Sequence, residues 1–118
     1  MANEITVTLQ VTVNSSNYTP GTISLTQQVD QGTVGGAQNV QTINTTASEA
    51  LTKADAVNGF LFIRNLDGTN YINYGSSDAM RLKLKAGEAN VVRVSSSGTL
   101  YAQANTGACK LFTWFINN

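Results

Sequence analysis

The chain has 118 residues, of which 42% are hydrophobic and only 12% charged, and its seven basic and seven acidic residues cancel. This length predicts one domain over residues 1–118, and the zero net charge argues against nucleic acid as a ligand. With no histidine and one cysteine, the sequence excludes a Ser–His or Cys–His nucleophile pair, an intramolecular disulfide and an ordinary zinc site. No apolar run reaches the length of a membrane span and residues 1–4 lack signal-peptide features, so we expect a soluble protein made in a cytoplasm.

The segment Ile5 to Val13 is the most regular part of the chain. Its odd-numbered residues are all apolar, and the residues between them are Thr6, Thr8, Gln10 and Thr12. This alternation predicts a half-buried strand whose apolar side chains point inward. Neither a Lys nor a Pro protects its edge, so it lies inside a sheet or shares its edge with another chain. We favour the second alternative, and expect the four polar residues to lie near an interface.

The next segments are predicted as strands with one exception. Thr22 to Val29 is expected to form a strand with Ile23 and Leu25 inward, and Ala37 to Asn44 a weaker strand. Residues 45–58 are the one place where a helix could start, of one or two turns at most. An irregular loop is the alternative there.

The stretch from Gly59 to Tyr74 organises the predicted fold. Phe60 to Ile63 are apolar at consecutive positions, which predicts a central strand covered on both faces. Asp67-Gly68 follows, a dipeptide typical of tight turns between paired strands. We therefore predict a strand, a tight turn and a second strand paired with the first.

The C-terminal part alternates short apolar segments with turns. The predicted strands there are Met80–Leu84, Val91–Val94, Thr99–Ala104 and Cys109–Asn117. The total is eight or nine short strands at near-regular spacing, which favours an all-β fold. We predict an antiparallel β-sandwich, with a jelly roll as one candidate arrangement.

No residue pattern indicates catalysis, a metal or a cofactor. Cys109 begins a predicted strand and is interpreted as a small core residue rather than a nucleophile. The segment Asp67 to Asn70 is too short for a dedicated calcium loop. The aromatic residues Phe60, Phe62, Phe112, Trp114 and Phe115 are interpreted as core, although an exposed Trp would also suit a sugar-binding platform.

Three segments carry a resemblance to small virion proteins of tailed bacteriophages. Gly59 to Ile72 resembles a strand ending in Asn-x-Asp followed by a Thr-Asn-aromatic strand in those proteins. Arg81 to Glu88 is similar to their Leu-Lys-Ala-Gly-Glu turn, and Leu100 to Thr106 to their Tyr-Ala-x-Ala-x-Thr strand. The three segments lie within residues 59–106, and the resemblance includes none of residues 1–36. It implies a β-sandwich component of a phage particle, such as a capsid decoration or head-associated protein.

These observations together give a functional expectation. The protein is expected to be a non-enzymatic virion component, synthesised in the host cytoplasm, that binds and stabilises a capsid lattice. Its expected partners are the major capsid protein or other virion proteins and further copies of itself, with a trimer favoured by analogy with decoration proteins. Nucleic acid, membranes and cofactors are not expected as ligands. A carbohydrate-binding or host-recognition module of a virion is the first alternative, and a cytoplasmic β-sandwich of other function the second.

Overall fold

The computed structural model describes residues 4–14, 21–31, 36–51, 59–77, 79–94 and 99–117. These residues form ten strands, where the sequence predicts eight or nine, and no helix. Every strand pair is antiparallel, as predicted. The strands are β1 Ile5–Val13, β2 Gly21–Val29, β3 Gly36–Ile43, β4 Glu49–Ala50, β5 Gly59–Asn65, β6 Ile72–Ser76, β7 Ala79–Leu84, β8 Ala89–Val94, β9 Tyr101–Ala104 and β10 Cys109–Asn117.

The chain divides into two compact units, residues 1–34 and residues 35–117. In the first, β1 and β2 form a two-stranded hairpin in register from Ile5 opposite Val29 to Val13 opposite Gly21. The second contains two four-stranded sheets. A compact unit need not fold alone, so this division does not test the prediction of a single domain over residues 1–118. The single domain stays a prediction.

The eight strands of the second unit pair in a nested order. β3 pairs with β10, β4 with β9, β5 with β8 and β6 with β7. Successive nested pairs belong to alternate sheets. The first sheet, called the front sheet, has the order β3-β10-β5-β8, and the other, the back sheet, has the order β4-β9-β6-β7.

The two sheets of this unit share one hydrophobic core, as in a β-sandwich. The front sheet supplies Leu61, Ile63, Leu111 and Phe115, all fully buried, and the back sheet supplies Ile72 and other apolar residues. Alternate side chains of each strand point to this core, which is why the sequence shows period two. The remaining core residues are Ile43, Leu51, Tyr74, Leu84, Val94, Ala102, Ala104 and Cys109.

A hydrogen bond between side chains of the two sheets involves Tyr74. Asn90 of the front sheet donates a hydrogen bond through Nδ2 to the Tyr74 hydroxyl of the back sheet, at 2.9 Å. Burial raises the pKa of Tyr74, and the bond to Asn90 partly opposes that rise. The phenol therefore stays neutral, and the contact gives its hydroxyl a partner.

The predicted hairpin around Asp67-Gly68 is wrong. β5 lies in the front sheet and β6 in the back sheet, so the two strands do not pair, and residues 66–71 cross from one sheet to the other. Positive φ angles occur at Gly75 and Gly87 and not at Gly68. The prediction that β5 is central is confirmed, because it lies between β10 and β8.

Two other expectations change. Within residues 45–51 the chain forms bends and the short β4 rather than a helix, and residues 52–58 lie outside the described residues. Ile23 and Leu25, predicted to point inward, are 77% and 53% exposed. Leu9 and Val11, also predicted to point inward, are 44% and 62% exposed, so alternation identified the strands of the hairpin correctly but not their burial.

Candidate binding surfaces

The hairpin has one apolar face that is largely open. Cross-strand register places Leu9 opposite Leu25 and Val11 opposite Ile23, so these four side chains form one contiguous group. We call this group the hairpin patch. All four are exposed, and contiguous exposed apolar surface marks an interaction site. Ile5, at the other end of the hairpin, is buried.

The other face of the hairpin is polar and uncharged. It carries the four predicted interface residues Thr6, Thr8, Gln10 and Thr12, all of them exposed. Hydroxyl pairs link the strands across this face: Thr8 Oγ1 lies 3.5 Å from Thr26 Oγ1, and Thr12 Oγ1 lies 3.2 Å from Thr22 Oγ1.

Among the described residues β1 pairs only with β2, so it does not lie inside a sheet of its own chain. Of the two sequence alternatives, the internal position is therefore wrong. Edge sharing with another chain stays a prediction, as does the interface role of the four polar residues.

The outer face of the front sheet is aromatic. Phe62 and Phe112 pack edge to face, with ring centroids 6.0 Å apart, and Trp114 is the residue opposite Phe62 in register. We define the aromatic patch by its members Val40, Phe62, Val91, Phe112 and Trp114. Trp114 is 42% exposed, so its assignment to the core is wrong. Phe62 and Phe112 are half-buried on this outer face and lie outside the hydrophobic core, whereas Phe115, on the inner face, is fully buried as predicted.

Basic residues surround the aromatic patch. Arg64, Arg93 and Lys110 are exposed on the same outer face, and the Arg93 guanidinium carbon lies 4.7 Å from the Phe60 ring centroid. Among the described residues of the four strands, no outward position holds a carboxylate. The face therefore combines apolar area with positive charge.

The outer face of the back sheet has a different character. Its outward positions hold Asn73, Arg81, Lys83 and Gln103, together with Ala50 and Tyr101. The Lys83 ammonium nitrogen lies 4.3 Å from the Tyr71 ring centroid, an exposed cation–π contact. Within its described strands this face presents mainly hydrogen-bonding groups and charge to water, and its apolar group is smaller than the aromatic patch.

The Asn65 side chain organises one end of the sandwich, where the chain crosses between sheets. It is fully buried, and its Nδ2 donates to the carbonyls of Asn70 at 2.8 Å and Leu84 at 3.2 Å. Its Oδ1 accepts the Asp67 N–H at 3.0 Å. Asp67 Oδ2 in turn accepts the N–H groups of Thr69, at 2.9 Å, and Asn70, at 2.6 Å. These contacts, rather than a paired hairpin, explain the Asn-x-Asp sequence.

The turn Lys85 to Glu88 joins the same junction. Gly87, the third residue of this turn, has a positive φ of +78°, which favours glycine at that position. Glu88 Oε1 accepts the Lys85 N–H at 2.8 Å. The backbone of Asn65 bonds both to Gly87 N, at 3.1 Å, and to Glu88 O, at 2.9 Å. The Ala-Gly-Glu sequence is thereby explained by local geometry.

The third segment of the junction is the turn after β9. Asn105 Oδ1 accepts the Tyr71 N–H at 2.9 Å, and the Asn105 N–H donates to Tyr71 O at 3.2 Å. A side chain at Gly107 would meet the Asn70 amide, 2.9 Å from its Cβ, so only glycine fits without displacing that amide. The three segments that carry the phage resemblance therefore meet in one hydrogen-bonded junction, which the sequence did not reveal.

Cys109 lies beside this junction and is buried, as predicted. Burial, and secondly the negative charge of Asp67, raise the pKa of its thiol, and its Sγ donates to Gly107 O at 3.4 Å. A reactive cysteine needs the opposite shift, toward the thiolate. The surroundings of Cys109 therefore suit a packing residue.

The calcium interpretation of Asp67 to Asn70 gains no support, because Asp67 Oδ2 accepts two backbone N–H groups. Within residues 4–117, gaps excepted, no group of three or more His, Cys, Asp or Glu side chains could hold a metal ion. In the same ranges there is no helix of the length and apolarity that crossing a membrane requires.

Comparisons with protein-family models, with characterised proteins and with solved structures found no match to this chain.

Proposed function

We propose that this protein is a non-enzymatic structural component of a tailed-phage particle, a capsid decoration or head-associated protein that binds the capsid lattice and stabilises it. Its partners would be the major capsid protein or other virion proteins and further copies of itself, most simply as a trimer. The observation that supports this proposal best is the hydrogen-bonded junction around Asn65, called the Asn65 junction. Hydrogen bonds connect three segments there that are separate in the sequence. Each of the three segments resembles phage virion proteins.

The strand order gives a second line of support. Four nested pairs distributed alternately between two sheets are what results when a long antiparallel ribbon is rolled up into a jelly roll. Jelly rolls have eight strands in two sheets and are frequent in viral capsid proteins, lectins and cupins. We include this arrangement in the proposal. It is compatible with a virion role without being specific to one.

The surface chemistry gives a third line of support. Both the hairpin patch and the aromatic patch expose contiguous apolar groups, and the hairpin strands carry no charged side chain. Interface centres are depleted in charge in the same way. The polar hairpin residues Thr6, Thr8, Gln10 and Thr12 supply backbone edges and hydroxyls to a lattice contact.

The test is to purify particles from the natural source on a density gradient and identify their proteins by mass spectrometry. The chain is expected in the particle band, and the purified protein is expected to sediment with particles that lack it. The double variant Thr8→Lys, Gln10→Pro should sediment less, because it removes a backbone donor and adds charge at the proposed edge. A control variant, Lys83→Gln on the back sheet, should sediment like the wild type. Absence of the chain from gradient-purified particles would refute the proposal.

A carbohydrate-binding or host-recognition module remains the second candidate, and one observation favours it. Trp114 is 42% exposed beside Phe62 and Phe112, on a flat sheet face of the kind that stacks against sugar rings. A glycan array separates the two candidates. Binding to a defined glycan that is lost in Trp114→Ala, in particles whose stability is unchanged when the protein is missing, would replace the first proposal with the second.

A further inference from the structure

We propose that the hairpin of one copy docks, through its hairpin patch, on the aromatic patch of a second copy. The inference rests on the proposed function only in taking the protein to be an oligomer, and it adds which two surfaces meet. It leaves the opposite, polar face of the hairpin free for the lattice contact.

The hairpin patch needs a cover. A lone two-stranded sheet is marginal in water, and this one exposes Leu9, Val11, Ile23 and Leu25 at 44%, 62%, 77% and 53%. The β1 and β2 strands carry nine residues each with no charged side chain, so covering them desolvates no ion. The hairpin is therefore suited to lie flat against another apolar sheet face.

The aromatic patch is the matching surface. It lies on an outer sheet face, its Val40 and Trp114 are 55% and 42% exposed, and β10 at its centre is nine residues long, as are β1 and β2. Sheets pack face to face over apolar side chains at about 10 Å separation. A two-stranded hairpin of this length can span the patch.

Charge selects the hairpin over another front sheet as the occupant. Arg64, Arg93 and Lys110 give the outer face of the front sheet three cations and, within its described strands, no carboxylate. Two such faces would repel one another. The hairpin instead brings an uncharged face, with the carboxylates of Glu4 and Asp30 next to its strand ends.

Area favours exchange between copies over a hairpin-to-hairpin pair. A nine-residue hairpin covers roughly 30 Å by 10 Å, or about 300 Å² on each side of a contact. Two hairpins facing each other would bury about 600 Å² in total, well below the roughly 1,200–2,000 Å² of stable interfaces. If two copies exchange hairpins, so that each gives one and receives one, their interface buries about 1,200 Å² in total, at the lower limit of that range.

Single-cysteine variants test the contact. Ile23→Cys and Val40→Cys are purified separately, mixed, allowed to exchange subunits and treated with a bismaleimide linker. We expect cross-linked heterodimers, at least about tenfold more than from Ser24→Cys mixed with Val40→Cys, because Ser24 is on the opposite face of the hairpin. Cys109 is 1% exposed and its thiol pKa is raised, so it should react slowly.

Each other result overturns the inference. Homodimers of Ile23→Cys as the main product would mean that hairpins face each other. A double variant, Ile23→Cys with Val40→Cys, that is linked only within one chain would place the contact inside a single copy, and no cross-link at all would remove the contact. Light scattering gives a second readout: Ile23→Lys should lower the assembled mass to that of a monomer, and Ser24→Lys should not.

The two proposals fail separately. Heterodimers from a protein absent from particles would keep this contact and refute the virion role. A protein found in particles that gives no heterodimers would keep the virion role and refute the contact.

Discussion

The hairpin and the sandwich have similar alternating sequences and opposite burial. In β10 the apolar residues Leu111 and Phe115 are fully buried, whereas in the hairpin Val11 and Ile23 are 62% and 77% exposed. Alternation creates one apolar face on any strand, and whether that face is covered depends on a second sheet. The sandwich contains its second sheet, so its strands bury apolar surface within the chain. The hairpin has an amphipathic surface that suits a partner, and the following predictions test that contrast.

The largest effect is expected from Phe115→Ala. Phe115 is fully buried in the core, and truncating such a side chain leaves a cavity, so we expect a loss of about 3–5 kcal/mol in the free energy of unfolding. The matched change in the hairpin, Ile23→Ala, removes a mostly exposed side chain and should cost less than about 0.5 kcal/mol. Urea denaturation of both variants, at a protein concentration where the wild type is monomeric, measures the difference. Equal losses would remove the contrast between the two regions.

Phe62 has an intermediate position that the sequence did not distinguish. Four consecutive apolar residues in β5 predict cover on both faces. Leu61 and Ile63 are fully buried on the inner face, and Phe60 is buried on the outer face. Phe62 lies on the outer face and is half-buried against Phe112. Phe62→Ala should therefore cost less than Phe115→Ala.

The second largest effect is expected from Asn65→Ala. The variant removes three hydrogen bonds of a fully buried side chain and leaves two carbonyls and one N–H without that partner. We expect a loss of about 2–4 kcal/mol, since each buried group left unpaired costs about 1–3 kcal/mol and some will find water. Asn65→Asp should also lose stability because a carboxylate cannot donate to Asn70 and Leu84. Gln10→Ala, in the exposed hairpin, is the control and should change the midpoint of urea unfolding little.

The sequence predicted individual strands better than it predicted their neighbours. The limits of β1 and β10 were predicted correctly, because apolar alternation is a property of the strand itself. The dipeptide Asp67-Gly68 predicts a change of chain direction, but it contains no information on which strands pair. The hairpin prediction is wrong for that reason. Phe112, Trp114 and Phe115 are apolar at both even and odd positions of β10, so the sequence does not show which of them face the core. Strand register places Phe115 on the inner face of the front sheet and Trp114 on the outer face. The Asn65 junction depends on hydrogen bonds between residues 19 and 34 positions apart, which no local pattern contains.

A stabilising change is expected at Thr113. Its hydroxyl is fully buried in the sandwich and has no hydrogen-bond partner among the described residues. Val has almost the same shape without the polar group, so Thr113→Val should raise the free energy of unfolding by about 1 kcal/mol. Thr8→Val is the matched change on the exposed face of the hairpin and should give no such gain. If thermal melting shows Thr113→Val to be less stable than the wild type, that hydroxyl has a partner in solution.

The smallest effect concerns acid and the Asp67 turn. The backbone N–H of Asn70, and then that of Thr69, hold the pKa of the Asp67 carboxyl below its ordinary value of 3.8. A carboxyl whose pKa is lower in the folded chain stabilises the fold fully above its unfolded pKa and loses that contribution as the pH falls through the folded value. Stability from this turn should therefore be constant near neutral pH and decline below about pH 4.

Asp67→Asn keeps an oxygen that can accept the same N–H groups but does not ionise, so its unfolding midpoint should fall less than that of the wild type between pH 5 and pH 2. Parallel urea titrations of the two proteins across that range give the comparison, with Asp30→Asn as the control in the hairpin unit. If Asp67→Asn and the wild type lost stability in parallel on acidification, the hydrogen bonds of this carboxylate would contribute nothing to the pH dependence of folding.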